Sequence, residues 1–92
     1  MERKEFRDRV LEFRNMSREE FEAYIEPLRG DIWSFPDMTP PNGAALIGYV
    51  EREKDTYFYY LDPDFNLYYE SASGFRFKKK MFEYKFKRET MG

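Results

Sequence analysis

Tyrosines and cations that alternate along predicted strands are the side chains of this sequence best suited to contact a partner. Tyr57 and Tyr59 lie on one predicted strand, Tyr68 on the next, and Arg76 and Lys78 on a third. Alternate residues of a strand point to the same side, so all five are predicted to share one face of a sheet. Tyr and Arg are enriched where proteins bind one another, because they combine contact area with polar reach. We therefore predict a partner-binding face formed by these five residues.

Catalytic and metal chemistry is poorly supported. The 92 residues include no histidine and no cysteine, which excludes imidazole catalysis, thiol nucleophiles and the usual zinc ligand sets. Asp62, Asp64 and Asn66 have the spacing that opens a calcium loop, but Leu67 and Ser73 stand where that loop needs Gly and Glu. We predict no catalytic residue, no metal and no cofactor.

Two helices are predicted before residue 28. Phe6, Val10 and Phe13 recur at the spacing of one helix face within residues 2–15. Ser17 and Glu20 have the spacing of a capping box, which begins a second helix that ends near residue 26. An irregular crossing segment follows over residues 29–43, and its Trp33 is predicted to be a lid on the core, with a binding loop as the alternative.

From residue 44 onward, apolar residues alternate with polar ones, which predicts four or five strands over 45–51, 56–61, 66–71, 74–79 and 81–87. No crossover helix fits between them, so the predicted sheet is an antiparallel meander. The predicted fold is α+β, with two N-terminal helices packed on one face of this sheet. We predict a single domain over 1–92: a helical part (1–28), the crossing segment (29–43) and the sheet (44–89).

The predicted turns assign the side chains to faces. A tight turn at Asp62 and Pro63 places Leu61 opposite Asn66, and a three-residue loop places Gly74 in the left-handed region. The face turned toward the helices would then carry Phe58, Tyr60, Leu67, Tyr69, Phe75 and Phe77. The other face would carry the five predicted binding residues.

Charge is divided along the chain. Residues 1–18 carry six basic and four acidic groups (+2), residues 19–74 three basic and twelve acidic (−9), and residues 75–92 seven basic and two acidic (+5). Such blocks orient a charged partner at modest salt, unless they pair with each other within the fold. No apolar run is long enough for a signal peptide or a membrane span, so we expect a cytoplasmic protein with no membrane partner.

The alternative is a protein that binds RNA or single-stranded DNA through the same face, with Tyr57, Tyr59, Tyr68, Arg76 and Lys78. Aromatic rings also alternate with cations over residues 75–88, as in proteins that bind single-stranded nucleic acid, but a solvent-exposed outer strand explains the same pattern. The net charge of −2 and the pI near 5.2 oppose that alternative. A less favoured one is a histidine-free endoribonuclease using Tyr84, Lys85 and Arg88. The strings RGDIW (29–33) and PPNG (40–43) resemble the opening of the MazF/PemK toxin ribonucleases over about fifteen residues. That opening is preceded here by two predicted helices, and no catalytic residue is carried over.

The expected function follows from these exclusions and from the tyrosine-bearing face. We expect a non-catalytic protein-binding module, such as a small inhibitor, immunity or adaptor protein of the mobile-element kind, acting on a cytoplasmic protein. Homodimerisation through the same face is a version of this prediction.

Overall fold

The computed structural model describes residues 3–34 and 43–90, which form an α+β fold of three helices and a four-stranded mixed sheet. The helices are α1 (Arg3–Arg14), α2 (Arg18–Ile25) and α3 (Gly74–Thr90), and a 3-10 helix (Glu26–Asp31) continues α2. The strands are β1 (Trp33–Ser34), β2 (Ala45–Glu51), β3 (Thr56–Leu61) and β4 (Leu67–Ala72), in the order β1-β4-β3-β2. Residues 35–42 of the predicted crossing segment lie outside the described residues.

The first two helices form where the sequence predicts them. Val10 and Phe13 bury the inner stripe of α1. At the start of α2 the Ser17 hydroxyl accepts from the Glu20 amide at 3.1 Å, and the Glu20 carboxylate accepts from the Ser17 amide at 2.9 Å. This reciprocal capping satisfies two amides that a helix start otherwise leaves unpaired. The capping box is therefore confirmed.

The sheet is mixed rather than purely antiparallel. Strands β2, β3 and β4 pair antiparallel in chain order, as the meander prediction requires. Strand β1 pairs in parallel with β4 through only two residues, Trp33 opposite Tyr68 and Ser34 opposite Tyr69. Two residues are too few to show an alternating pattern, so the sequence contains no signal for this strand.

The loop between β3 and β4 is one residue longer than predicted, and this reverses the faces of β4. Leu61 pairs with Leu67 rather than Asn66. Phe65 closes the loop with φ at 65°, in a backbone region that bulky residues rarely adopt. Because side chains alternate along a strand, one extra loop residue moves Tyr68 to the face opposite Tyr57 and Tyr59.

Residues 74–90 form α3 in place of the last predicted strands, so the predicted sheet over 44–89 is wrong beyond β4. Phe77, Met81 and Tyr84 recur at helical spacing and pack against the sheet. Residues 75–88 contain no Gly, Pro, Asn or Asp to turn a hairpin and are rich in good helix formers. Gly74 does adopt the predicted left-handed backbone, with φ at 60°.

Helices therefore cover both faces of the sheet, and each face has its own core. One core joins α1 and α2 to the sheet through buried Val10, Phe13, Phe21, Ile25, Ile32, Ile47, Val50, Tyr59 and Leu61. The other joins α3 to the opposite face through buried Leu46, Phe58, Tyr60, Ala72 and Tyr84. A fully buried large apolar side chain stabilises the fold by roughly 1.5–3 kcal/mol. The aromatic residues of β3 thus point to both faces because both faces are buried, and the prediction of one covered face is wrong.

Candidate functional site

The five predicted binding residues do not share a surface. Tyr57 and Tyr59 lie on the face packed by α1 and α2, whereas Tyr68 lies on the opposite face, opposite Tyr60 in the pairing. Arg76 and Lys78 belong to α3. The prediction that the five share one outer face is therefore wrong, because the longer loop reverses β4 and a helix replaces the next strand. That any of the five binds a partner stays a prediction.

Tyr57 and Tyr59 instead meet Tyr69, which the longer loop brings to their face. The Tyr57 and Tyr69 ring centroids are 5.5 Å apart, and those of Tyr59 and Tyr69 are 6.2 Å apart. Together with the 3-10 helix they line an open cavity of about 420 Å³, which we call the tyrosine groove. Its lining residues are Glu26, Arg29, Gly30, Ile32, Tyr57, Tyr59 and Tyr69.

Charged side chains fix the rim of the tyrosine groove. Glu26 accepts hydrogen bonds from Arg52 at 3.0 Å and from Arg29 at 3.1 Å, and these bonds hold the pKa of Glu26 below its ordinary value. Burial raises the pKa of Tyr59, although the charges of Arg52 and Arg29 oppose the rise. At neutral pH Tyr59 therefore presents a protonated phenol in a groove whose rim carries the paired Arg29 guanidinium and Glu26 carboxylate.

The sequence did not identify Tyr69, Arg29, Gly30 or Ile32 as site residues. The predicted loop, one residue too short, separates Tyr69 from Tyr57 and Tyr59, although Tyr69 does lie on a face packed by helices. The other three lie where Pro27 and Gly30 interrupt the helical pattern, and nothing in their types indicates a site. The tyrosines at alternate positions of β3 were the sequence signal for two of the seven residues that line the groove.

On the opposite face, a buried carboxylate holds α3 to the sheet. The Glu70 side chain is only 3% exposed and accepts a hydrogen bond from Arg76, while the Lys80 ammonium lies 3.2 Å from its other oxygen. Lys80 also donates to the Tyr60 hydroxyl at 2.6 Å. We call Glu70, Arg76, Lys80 and Tyr60 the Glu70 cluster. It assigns Arg76 a structural contact, which the sequence did not predict.

The Glu70 cluster predicts a loss of stability at alkaline pH. Burial opposes the charge of Lys80, but its hydrogen bond to Tyr60 and the nearby carboxylates outweigh burial and raise the pKa of Lys80 above 10.5. Burial raises the pKa of Tyr60 above 10.0, although Lys80 opposes the rise. The folded chain thus retains both protons where the unfolded chain releases them. The stability that these two protons contribute is fully present below about pH 10. It is lost as the pH rises through the folded-state pKa values of Tyr60 and Lys80.

Urea denaturation of the wild type and of Tyr60→Phe at about pH 8 and about pH 11 checks this prediction. The variant lacks one of the two protons and the hydrogen bond that raises the pKa of Lys80, so its stability should fall less over the same interval. Other tyrosines contribute equally to both proteins. Equal losses in the two proteins would contradict the assigned role of this pair.

The outward side of α3 exposes aromatic rings and lysines. Phe75 is 82% exposed and Phe82 is 73% exposed, although both are large apolar residues. Three exposed lysines lie beside them at positions 78, 79 and 85. We call Phe75, Lys78, Lys79, Phe82 and Lys85 the outer face of α3. Lys78 is the one predicted binding residue that lies on it.

Trp33 and Tyr68 form a smaller site at the β1 edge. Trp33 is 71% exposed, and its ring meets that of Tyr68 edge-on at 6.4 Å beside a cavity of about 290 Å³. The prediction of Trp33 as a core lid is therefore wrong. Asp62, a candidate calcium ligand by spacing, instead accepts hydrogen bonds from the amides of Asp64 and Asn66 at 2.9 Å, which orders its own loop.

Two residues of the catalytic alternative, Tyr84 and Lys85, have described side chains on α3. Tyr84 is buried against the sheet while Lys85 is exposed, so the two neighbours point in different directions. The Arg88 side chain lies outside the described part. In the described helices, no stretch has both the length and the apolar character needed to cross a membrane.

Comparisons with family models, curated proteins and solved structures found no match to this chain.

Proposed function

We propose that this protein is a non-catalytic protein-binding module and that the tyrosine groove is its contact site. The partner class is a cytoplasmic protein, and the module acts as a small inhibitor, immunity or adaptor protein of the mobile-element kind. One observation carries the proposal: three tyrosines from two strands line an open cavity of about 420 Å³ beside Arg29, which pairs with Glu26.

The composition of the tyrosine groove is that of a binding hot spot. Tyr and Arg dominate such spots because their side chains bury large areas while their polar ends keep hydrogen-bonding partners. Tyr59 is only 2% exposed and forms a rigid part of the wall, whereas Tyr57 and Tyr69 are half-buried and accessible from outside. A partner would therefore meet preorganised rings, which lowers the entropy lost on binding.

The rim defines what the partner should present. Arg29 and Glu26 are already paired, so a partner charge would compete with an existing ion pair rather than fill an empty one. The ring faces of the tyrosines offer apolar contact, and their hydroxyls offer hydrogen bonds. The best occupant is an apolar or aromatic side chain of the partner that carries a polar end.

Gly30 provides the sharpest test, because it lines the groove and a Cβ added there meets nothing within 4 Å. Gly30→Trp should obstruct the groove without disturbing the fold, whereas Gly30→Ala should leave it open. The partner is first captured from the native host with the wild-type protein, identified and purified. Calorimetry should then show at least about thirtyfold weaker binding for Gly30→Trp, the loss of one hot spot, and little change for Gly30→Ala.

Two outcomes separate the alternatives. Equal affinity of Gly30→Trp and Gly30→Ala for the purified partner would place the contact elsewhere and contradict the proposal. If the partner is a second copy of the chain, sedimentation should show a wild-type dimer that Gly30→Trp dissociates. Circular dichroism and urea denaturation confirm that both variants remain folded.

A further inference from the structure

The outer face of α3 forms a second apolar stripe on a helix that already buries one. Phe77, Met81 and Tyr84 face the sheet. Phe75 and Phe82 are seven positions apart, which is two turns and about 10.5 Å along the axis, so they lie on the same side of the helix. Their exposures of 82% and 73% identify that side as the one turned away from the core. A core-packed helix does not require this outward stripe.

The lysines of this face differ from Arg76 and Lys80, the other α3 cations whose side chains the structure describes. Arg76 and Lys80 turn toward the sheet and pair with Glu70. Lys78, Lys79 and Lys85 form no ion pair with any other residue that the structure describes. Lys78 and Lys79 follow Phe75 by three and four positions, so their positive charge lies between the two exposed rings rather than away from them.

We infer that the outer face of α3 binds the surface of an anionic lipid bilayer. This departs from the expectation of no membrane partner, which rests on the lack of an apolar run long enough for a signal peptide or a membrane span. Its rings would enter the boundary between headgroups and acyl chains while its lysines reach the phosphates beside them. An anionic bilayer has phosphates at its surface and acyl chains just beneath them everywhere along its plane. Lysines that lie between exposed rings can therefore contact phosphates while the rings contact acyl chains. The inference is independent of the tyrosine groove, which is built on the opposite face of the sheet.

Other anionic partners fit this face less well. A protein groove that accepted both rings would also have to cover Lys78 and Lys79, and desolvating those charges opposes binding unless each meets a carboxylate. Single-stranded nucleic acid binds in channels where successive bases stack on closely spaced rings, whereas these rings lie about 10.5 Å apart on a convex helix. Two phenylalanines also provide far less area than the roughly 800 Å² that each side of a stable protein interface buries.

The charge distribution of the chain favours the same orientation. Residues 19–74 carry a net charge of −9 and residues 75–92 a net charge of +5. An anionic surface therefore attracts the part of the molecule that carries α3 and repels the acidic part, residues 19–74. Each lysine near such a surface strengthens binding about fivefold, so three lysines together with two rings supply the two signals that reversible attachment needs.

Vesicle co-sedimentation tests the inference. The wild type should bind vesicles containing about one-third phosphatidylserine at roughly 0.1 M salt, and should bind vesicles of phosphatidylcholine alone at least about tenfold more weakly. Two variants should each lose at least about tenfold: one with Phe75→Ser and Phe82→Ser, the other with Lys78→Gln, Lys79→Gln and Lys85→Gln. Both change exposed side chains, so circular dichroism should show intact folds. Gly30→Trp should bind these vesicles as the wild type does.

A fluorescent reporter shows whether the rings enter the bilayer. With Trp33→Phe removing the only native tryptophan, Phe75→Trp should shift its emission to the blue on anionic vesicles. No binding to anionic vesicles, or equal binding to neutral ones, would overturn the inference. A third result would also overturn it: the variant without both rings still binds anionic vesicles, and the protein binds a single-stranded oligonucleotide equally well. That result would indicate a general site for polyanions.

Discussion

Glu70→Ala should lower the free energy of unfolding by about 2–4 kcal/mol, because it removes the nearer of the two carboxylates beside the largely buried Lys80 ammonium. The Glu70 side chain is 3% exposed, and the Lys80 side chain that faces it is 15% exposed. Loss of the carboxylate would leave the Lys80 ammonium with the Tyr60 hydroxyl at 2.6 Å and with Glu83 at 3.7 Å. Arg76 is 42% exposed and can turn to water, which limits the loss. Urea denaturation near neutral pH measures the change.

Glu51→Ala is the matched control, since Glu51 also pairs with an arginine but at the surface. The Arg18 and Glu51 side chains are 60% and 51% exposed, and exposed pairs contribute about 0–1 kcal/mol. The double change Glu70→Leu with Lys80→Met should recover most of the stability, because apolar residues of similar volume need no partner. If Glu70→Ala is no more destabilising than Glu51→Ala, the cluster does not hold α3 as described.

Gly48→Ala should destabilise the fold by about 1–3 kcal/mol through overpacking. A Cβ at position 48 would lie 2.8–2.9 Å from three ring carbons of Phe21. The Phe21 ring cannot easily retreat, because it is 3% exposed and packs edge-on against Phe13 at 6.1 Å and Tyr59 at 5.8 Å. The absence of a side chain at Gly48 therefore allows α2 to lie this close to β2.

Two other glycines separate steric from conformational effects. Gly30→Ala meets no atom within 4 Å and should be close to neutral, whereas Gly74→Ala is also uncrowded but places alanine at φ near 60°. That backbone region disfavours alanine by roughly 1–2 kcal/mol. Phe21→Leu should rescue Gly48→Ala in part, which would appear as coupling in a double-mutant cycle. Equal stabilities of Gly48→Ala and Gly30→Ala would contradict the close approach.

The regular elements with one clear period were predictable from the sequence. The strands predicted over 45–51 and 56–61 have those bounds, and the Ser17–Glu20 capping box marks the start of α2. The period of residues 75–88 did not by itself predict a helix, although the lack of turn residues there favours one. Phe75 and Phe77 suggest alternation, while Phe77, Met81 and Tyr84 fit a helix. The two periods coincide at Phe77, and only packing on the uncovered sheet face decides between them.

The candidate site was predictable only where it lies within one strand. Tyr57 and Tyr59 share a side in any register, so their pairing needed no loop geometry. Placing Tyr69 rather than Tyr68 beside them depends on Phe65 adopting a left-handed backbone, which residue preferences argue against. The contribution of Arg29 depends on where the 3-10 helix meets the sheet, and that is a tertiary contact rather than a local one.

The arrangement of the sheet also bears on aggregation. The run Tyr57–Leu61 is the kind of uncharged, aromatic segment that stacks into cross-β fibrils when its backbone is accessible. Here it lies in β3, with a strand on each side and a helical layer on each face. The neighbouring edge strand β2 is interrupted by a bulge after Leu46, whose carbonyl accepts a hydrogen bond from the buried Arg14 side chain at 2.8 Å. A strand from another molecule could therefore not pair regularly along that edge. The segment Tyr57–Leu61 itself stays covered, because β3 is an inner strand.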